Sequence, residues 1–544
     1  MKKVLHPIFL VFLFLLLSQT ILPKSECLAL PSAIYFSDLI SGPKTGGQNN
    51  KGVFVTIVGK NFGTNRGSSY VSVGKGQVDN YPVWTDTKII FQLGPNATTG
   101  DIKVTTGDGT SNDLPFTVRD GKIYFASINS PSDPGDGSFE NPWRSPRSFY
   151  NVMQPGDTCY IRGGTYTGEY GGTTWSASIK LGAEAPNGQL NREIAWVAYP
   201  NEVVRFQATS SVKRNVVWAY EKNYYVFSGF NFSATGACFQ FRGLGNRIIN
   251  NSCEGLKTTF YGILHAHPDC NEAKVYGNKL FGATTGNKLD HALYIGYGAD
   301  NLDFGWNHIY NNNVGDGPLI STHQDSAAPQ GLTFENNLIH DNIIDGRNSS
   351  NSLPRAIGFG EQAAGSSAKV YNNIIIGCGG TASWNYCIYV MSGSIQIYNN
   401  TIYNAKGSYA LGIYTVNWGT GRLYAPSVVE IKNNIFYTSS GCDYISIQDE
   451  SQIKSLTIDH NCYYGNGAGP IKDTNAINLD PLFTNQVNDD FTLRSNSPCI
   501  DKGTPGVSTV VKKDRNGISR PQYVSYDIGA CEYIVNPPQN LKRL

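Results

Sequence analysis

The chain has 544 residues, and its 43 basic and 42 acidic residues leave a formal net charge of +1. A balance this even, with no basic stripe along the sequence, argues against a nucleic-acid partner. The length predicts two or more folding units. Aromatic residues make up 12% of the chain, led by 32 Tyr, and such a composition suits β-strands.

The first 30 residues have the features of a secretory signal peptide. Lys2 and Lys3 precede an apolar run from Ile8 to Leu17 that is too short to span a bilayer comfortably. Cys27 offers the alternative of a lipid attachment site. No later segment contains about 18 consecutive apolar residues, so we expect no transmembrane segment. The sequence therefore predicts a secreted protein, either extracellular or held at the cell surface.

Residues 31–119 form a separate region of short strands with turns between them. The strand-like runs are Gly52–Gly63, Val71–Gly74, Trp84–Phe91, Ile102–Thr106 and Phe116–Val118. This spacing predicts a small β-sandwich. The region closely resembles the IPT/TIG family of immunoglobulin-like domains. That resemblance implies a spacer, or a surface for contacting partners.

The middle of the chain repeats a doublet ending in Asn, followed by a variable residue and usually an apolar one. The Asn residues are Asn251, Asn278, Asn307, Asn337, Asn373, Asn400, Asn434 and Asn461. They recur at intervals of roughly 27 to 36 residues, a period typical of solenoids. Each unit contains short β-rich runs separated by Gly, Asn, Asp and Ser, and no long helical pattern appears.

Units of this size cannot bury a core alone and must stack on their neighbours. Parallel strands of successive coils lie about 4.8 Å apart, so equivalent Asn side chains would form a column. Amides that bond to one another along such a column satisfy donors and acceptors that are costly to bury singly. The sequence therefore predicts an all-β fold built from stacked coils.

Residues 122–534 resemble the right-handed parallel β-helix superfamily, followed by a tail at 535–544. The likeness extends to an opening segment, Asp133–Ser138 with Pro155–Tyr166, and to closing segments at Asp480–Phe483, Ser497–Gly503 and Asp527–Glu532. The resemblance implies a right-handed parallel β-helix. The superfamily includes polysaccharide lyases, hydrolases, epimerases and non-catalytic surface proteins. We expect the protein to be a monomer.

Ionisable residues cluster in adjacent units between positions 261 and 361. Elimination from a uronate polymer needs a cation to neutralise the sugar carboxylate, a base, and an acid for the leaving oxygen. His suits the role of base because its unperturbed pKa lies near 6.5, within roughly physiological range. The candidate catalytic residues are His265, His267, Lys288, His291, Tyr294, His323 and Arg355. His291, before a strand, can instead be a turn residue bonded to backbone.

Clustered carboxylates in the same units can bind Ca²⁺, which prefers oxygen ligands. The candidate metal ligands are Asp269, Asp290, Asp325 and Glu361. Hydrolysis would instead use a carboxylate pair, for which Asp290 with Asp325 or Glu361 is available. A further alternative is a transition metal held by His265, His267 and Asp269.

The predicted function is lyase-like cleavage of an acidic, uronate-containing polysaccharide, with Ca²⁺ as the one candidate cofactor. The sequence lacks the Gly-His-Gly and Asn-Thr-Asp motifs of polygalacturonase-like hydrolases. It also lacks the Trp-x-Asp-His motif of the main pectate lyase group. The alternative is therefore a non-catalytic extracellular protein that binds glycan or serves as a structural element of the surface or matrix.

Ten cysteines follow Cys27, and in an oxidising compartment some will pair. Cys378 and Cys387 bracket a Gly-rich turn and can close a short loop. Cys253 and Cys462 lie beside Asn positions of the repeat and can pack inside as small apolar residues. The absence of a Cys-x-x-Cys pair argues against a structural zinc site.

Overall fold

A computed structural model describes residues 31–145, 148, 152–167, 170–171, 176–208, 214–256, 262–315, 317–322, 333–348, 354–360, 365–379, 386–416 and 423–534. The predicted signal peptide and the tail lie outside these residues. The described fold is all-β, as the sequence predicts. Its short 3-10 helices are Gln48–Asn50, Glu450–Gln452, Gln486–Asn488 and Pro505–Val507. None of the described helices is long and apolar enough to cross a membrane.

The N-terminal domain is a sandwich of two small, mainly antiparallel sheets. One sheet has the order β1 (Ala33–Ser37), β3 (Phe54–Lys60), β7 (Lys88–Gln92) and β6 (Asn80–Trp84). The other has the order β2 (Ser41–Gly42), β10 (Leu114–Val118), β8 (Gly100–Thr106), β4 (Tyr70–Val73) and β5 (Gly76–Gln77), with β9 (Gly109–Thr110) beside β8. This is the sandwich that the strand spacing predicts.

The rest of the chain is a parallel β-helix whose coils build three long sheets. Sheet 1 contains β11 (Ile123–Ala126), β12 (Thr158–Ile161), β16 (Ile194–Ala198), β19 (Tyr225–Ser228), β22 (Arg247–Ile249), β25 (Lys274–Tyr276), β28 (Asp303–Gly305), β31 (Asn337–His340), β34 (Ser367–Tyr371), β37 (Gly393–Tyr398), β40 (Pro426–Lys432) and β43 (Ser455–Asp459). Sheet 2 contains β13 (Gly164–Tyr166), β17 (Val204–Ala208), β20 (Asn231–Ala234), β23 (Ser252–Gly255), β26 (Lys279–Phe281), β29 (His308–Tyr310), β32 (Ile343–Asp345), β35 (Ile374–Ile376), β38 (Thr401–Ala405), β41 (Ile435–Thr438) and β44 (Cys462–Tyr464). Sheet 3 contains β14 (Tyr170–Gly171), β15 (Ser176–Leu181), β18 (Arg214–Ala219), β21 (Phe239–Leu244), β24 (Leu264–Asn271), β27 (Leu293–Ile295), β30 (Pro318–Thr322), β33 (Arg355–Phe359), β36 (Tyr386–Val390), β39 (Tyr409–Ile413) and β42 (Asp443–Ile447).

The core of the β-helix is made of apolar columns that run along its axis. Alternate residues of a strand point to opposite faces, so one residue per short strand faces inward. In sheet 2, the pairing of Leu280, Ile309 and Ile344 places successive inward residues in register, and all three are fully buried. Each coil thus covers the apolar side chains of the coil before it, as the repeat length requires.

A column of buried Asn side chains turns the corner between sheets 1 and 2, confirming the predicted ladder. Each amide Nδ2 donates to the Oδ1 of the next coil at 2.9 to 3.1 Å. The members are Asn251, Asn278, Asn307, Asn342, Asn373, Asn400, Asn434 and Asn461. The column ends on Asp473, whose Oδ2 accepts from Asn461 at 2.9 Å.

The prediction that Asn337 belongs to this column is wrong. Asn342 takes its place, and Asn337 instead caps an earlier corner, where its Oδ1 accepts from Leu302 N at 2.8 Å. The residue before a ladder Asn adopts a left-handed backbone, as Trp306 and Asp341 do, both with φ of 55°. Asn336 has the same conformation. Two consecutive corners in one coil therefore present the same local signal, and only one of them continues the column.

The N-terminal domain is docked on the outer face of sheet 1. Tyr160 Oη donates to Phe54 O at 2.9 Å and accepts from Phe54 N at 2.7 Å. Arg247 Nη2 donates to Ser37 O at 2.7 Å. Apolar residues of sheet 1, among them Val197 and Val226, belong to the same buried cluster as the sandwich core. The domain is thus a fixed part of the molecule rather than a loosely attached spacer.

The closing segment covers the outer faces of sheets 1 and 2 near the C-terminal end. Phe483, Phe491 and Leu493 pack on outward residues of sheet 2 that include Ile374 and Ile435. On sheet 1, the outward side chain Tyr398 packs against Val507, Val511 and Tyr526. The predicted short-loop disulfide, Cys378–Cys387, is present.

His340, on sheet 1, is buried between two carboxylates. Its Nε2 and Nδ1 lie 2.6 Å from Asp303 Oδ1 and Asp341 Oδ2, respectively. Burial alone would lower the pKa of His340, but hydrogen bonds and charge attraction from the two carboxylates outweigh it and raise the pKa to about 9. Lys274 Nζ and Tyr276 Oη also contact Asp303, at 3.1 and 2.6 Å. A charged imidazolium is therefore part of the folded structure at neutral pH.

The Asn column leads to a stability prediction. Replacing Asn373 by Ala leaves buried polar groups of its neighbours unpaired, and each such loss costs about 1–3 kcal/mol. We expect the urea unfolding midpoint of Asn373→Ala to fall clearly. The matched control is Asn496→Ala, because Asn496 is exposed. Equal midpoints for the two variants would show that the column contributes no stability.

His340 leads to a pH prediction. Because its folded pKa of about 9 exceeds the ordinary value of 6.5, its stabilisation is complete below pH 6.5 and is lost as the pH rises to about 9. We expect the thermal midpoint to fall across this window, and His340→Gln to flatten the fall. His308→Gln serves as the control, since His308 lies on sheet 2 and should leave the pH dependence intact. A fall of equal size in both variants would contradict the assignment.

Candidate active site

The outer face of sheet 3 carries a continuous column of polar and aromatic residues. Backbone pairing places Trp218, Gln240, His265, Tyr294 and Ser321 side by side in five successive coils. Neighbouring coils are about 4.8 Å apart, so these side chains contact one another in order. The ring centroids of His265 and Tyr294, for example, are 5.0 Å apart.

A second group lies two residues further along the chain in the same coils, nearer the solvent. Tyr220, Arg242 and His267 follow Trp218, Gln240 and His265 at the same spacing, because side chains alternate along a strand. The Tyr220 hydroxyl is hydrogen-bonded to Nε2 of His267. Arg242 Nη2 forms an ion pair with Asp269 Oδ2 at 2.8 Å, and its Cζ lies 5.9 Å from the centroid of the Tyr220 ring. We call Tyr220, Arg242, His267 and Asp269 the surface cluster.

A local irregularity brings this cluster together. The pairing of β21 with β24 shifts register between Phe241 and Gly243, so Gly243 lies opposite Cys270. The longer path of β24 carries His267 and Asp269 past Arg242, and Asp269 adopts a left-handed backbone with φ of 64°. Irregular pairing of this kind redirects side chains and recurs beside active sites.

Both imidazoles of this face are neutral at physiological pH. Burial, reinforced by the positive charge of Arg242, lowers the pKa of His267 to about 4. Burial also lowers the pKa of His265, with smaller effects from His267 and His291. The centroids of the two rings are 4.8 Å apart, so they share one face as the alternation predicts. Neutral imidazoles can accept a proton.

The predicted residues behind this cluster are buried. His265 and Tyr294 are each 3% exposed and His291 is 2% exposed, whereas His267 is half-buried. Gln240 Nε2 lies 3.4 Å from His265 Nδ1. His291 Nδ1 lies 2.7 Å from the carbonyl oxygen of Pro318 in the next coil. His291 therefore joins a corner of its coil to the backbone of the next one. This is the turn role that the sequence offered as the alternative to catalysis.

The other predicted residues are dispersed. Lys288 is exposed in a turn, and Asp290 is buried and accepts a hydrogen bond from Thr285 Oγ1. Arg355 is buried, with its Cζ 5.0 Å from the centroid of the Tyr389 ring. His323, Asp325 and Glu361 lie outside the described residues. Within the part of the chain that the structure describes, no three His, Cys, Asp or Glu side chains are grouped to hold a metal ion, and Ca²⁺ binding stays a prediction.

Sequence reasoning missed Tyr220 and Arg242. Their signal was available, because Trp218-Ala219-Tyr220, Gln240-Phe241-Arg242 and His265-Ala266-His267 share one polar–apolar–polar alternation. The Asn pattern begins at Asn251, however, and strand pairing places Phe230 and then Val204 at the equivalent position of the two preceding coils. The Asn repeat therefore does not mark the coils that carry Tyr220 and Arg242.

Comparisons with known proteins agree with the two-part architecture. Residues 38–118 match the family model of the IPT/TIG domain, and residues 395–505 match the model called Domain of unknown function (DUF5123). No curated protein matches the chain. The IPT/TIG match confirms the predicted identity of the front domain.

Several solved structures are similar to the chain at low sequence identity. One is pectate lyase Pel9A, with 17% identity, a TM-score of 0.48, and coverage of 76% of this chain and 97% of that one. XylC in complex with xylose has 12% identity, a TM-score of 0.46, and coverage of 76% and 98%. A rhamnogalacturonan lyase has 16% identity, a TM-score of 0.37, and coverage of 67% and 91%.

The surface cluster leads to a prediction for the pKa of His267. Replacing Arg242 by Gln removes a positive charge that disfavours protonation, so the pKa of His267 should rise from about 4 toward 6.5. Titration of the imidazole signals by NMR measures this change. Lys180→Gln is the control, because Lys180 lies over Trp218 on the same face and does not act on His267. An unchanged pKa in Arg242→Gln would contradict the geometry of the cluster.

Proposed function

We propose that the protein cleaves an acidic, uronate-containing polysaccharide by elimination at the surface cluster of sheet 3. The observation that best supports this proposal is that a cation, a neutral imidazole and a hydroxyl from three successive coils come together in the surface cluster. Arg242, His267 and Tyr220 supply these groups. They replace the more dispersed catalytic set expected from the sequence, of which His267 belongs to the cluster. Asp269, which the sequence suggested as a metal ligand, also lies in the cluster.

Each group matches one requirement of β-elimination. The guanidinium of Arg242 can pair with a sugar carboxylate, which makes the adjacent carbon-bound proton easier to remove. Neutral His267 can accept that proton, and the hydroxyl of Tyr220 can supply one to the leaving oxygen. In the free protein, Arg242 is ion-paired with Asp269. A substrate carboxylate would replace Asp269 as the partner of Arg242.

The position of the cluster also suits a long polymer. The side chain of Arg242 is 32% exposed and that of Asp269 is 51% exposed, so both are open to an incoming chain. The N-terminal domain and the closing segment pack on the outer face of sheet 1, and the closing segment also covers the C-terminal coils of sheet 2. Sheet 3 offers a flat surface on which successive sugars can meet successive coils. We place this activity outside the cell, as the first 30 residues predict.

The central test follows ultraviolet absorbance of unsaturated product over a panel of uronate polymers, with and without Ca²⁺. We expect turnover on at least one polymer, and losses of about 10²–10⁴ in kcat for His267→Ala and Tyr220→Phe. The matched control is His308→Ala, which removes an imidazole from the outer face of sheet 2, where it packs on Tyr310 with ring centroids 4.5 Å apart. Full activity in both cluster variants would place the chemistry elsewhere.

The second candidate is a glycan-binding protein without catalysis. It is favoured by the deep burial of His265 and Tyr294, each 3% exposed, which keeps both from direct contact with a polymer. Binding of uronate polymer that Arg242→Gln weakens, with no product from any polymer, would establish this function in place of cleavage.

A further inference from the structure

We propose that Cys462 and Cys499 form a second disulfide bond, which ties the closing segment to the last coil of the β-helix. Cys462 begins β44, the last strand of sheet 2. Cys499 belongs to the closing segment that packs across that sheet. Both side chains are fully buried and share one apolar cluster.

Backbone contacts bring the two residues together independently of their thiols. Ile435 and Cys462 are paired neighbours in sheet 2. The amide of Ile528 donates to Cys499 O at 3.0 Å, and a Cβ on the next residue, Gly529, would lie 2.5 Å from Ile435 Cδ1. Cys499 is thus held beside the strand pair that contains Cys462.

The two thiols are neighbours in this buried cluster. The side chain of Cys499 raises the pKa of the Cys462 thiol, and burial raises it further. For Cys270, by contrast, burial alone raises the pKa, with no contribution from a second thiol. Two neighbouring thiols in one buried cluster can bond to each other.

The step is a two-electron oxidation. The two thiols lose two protons and two electrons as the Sγ–Sγ bond forms, and a disulfide-carrying oxidant such as glutathione disulfide is reduced to two thiols by exchange. The inference rests on the predicted export, because an oxidising compartment supplies that class of oxidant. Burial of both sulfurs indicates that the bond forms as the closing segment docks rather than afterwards.

The bond would act at the end of the solenoid, where the stack of coils needs a cap. Sheet 2 ends at β44 among the described strands, and the closing segment covers this region. A covalent tie keeps the segment in place during local opening. It would also make the C-terminal end more resistant to proteases than it is without the bond, because proteases cut transiently opened segments.

Peptide mapping tests the proposal. The full chain, produced by export into an oxidising compartment and then equilibrated with glutathione disulfide under mild denaturant, is alkylated, digested and analysed by mass spectrometry. We expect a cross-linked peptide pair containing Cys462 and Cys499, alongside that of Cys378 and Cys387, and alkylated Cys270. Alkylation of both Cys462 and Cys499 would overturn the proposal, whatever the state of the other cysteines.

A stability measurement separates the cross-link from simple packing. Cys499→Ala and Cys270→Ala each remove one buried thiol, but only the first would remove a cross-link. We expect Cys499→Ala to lower the thermal midpoint by roughly 5 °C more than Cys270→Ala in oxidised protein. The difference should disappear after reduction. A difference that persists in reduced protein would mean that packing, not a bond, accounts for it.

Discussion

The stacking of coils in register is the constraint on which the rest of the molecule depends. Hydrogen bonds between the amides of Asn278, Asn307 and Asn342 fix the corner between sheets 1 and 2 at one position in every coil. Because that corner is fixed, each following strand begins in phase with the one before it. Residues far apart in sequence, such as Gln240, His265 and Tyr294, then become lateral neighbours. The candidate site is a consequence of this register.

The sequence could predict the fold because the repeat has a physical reason at each position. Buried Asn satisfies its neighbours only in a column, and the apolar residue two places later fills the core. It could not predict which of two corners in one coil continues the column, since Asn337 and Asn342 follow residues of the same left-handed conformation. Which of the two Asn residues continues the column depends on the next coil, where the side chain of Asn373 bonds to that of Asn342.

The site was less predictable than the fold, because it depends on burial and on an irregular strand. His291 has the residue type expected of a base, but the carbonyl oxygen of Pro318 holds it at a corner. Arg242 reaches His267 and Asp269 only because β24 runs out of register past β21. No sequence periodicity contains that shift. The grouping of the surface residues therefore depends on the pairing of these strands.

Two histidines show how the surroundings decide charge in this fold. His340 is fully buried yet positively charged, because Asp303 and Asp341 bond to both ring nitrogens. His267 is less buried yet neutral, because burial lowers its pKa and the positive charge of Arg242 lowers it further. The first arrangement lies under the N-terminal domain, where a charge held between carboxylates serves the structure. The second lies on sheet 3, where a neutral imidazole beside a cation can exchange a proton with a ligand.

The covering of the β-helix explains why that second arrangement lies on sheet 3. Along sheet 1, the sandwich and then the closing segment pack on outward residues, and the closing segment also covers the C-terminal coils of sheet 2. Those faces carry apolar residues such as Val197 and Ile374, which need a partner. The face of sheet 3 carries Trp218, Gln240 and Arg242, which do not. Among the described residues, neither the sandwich nor the closing segment packs on this part of sheet 3.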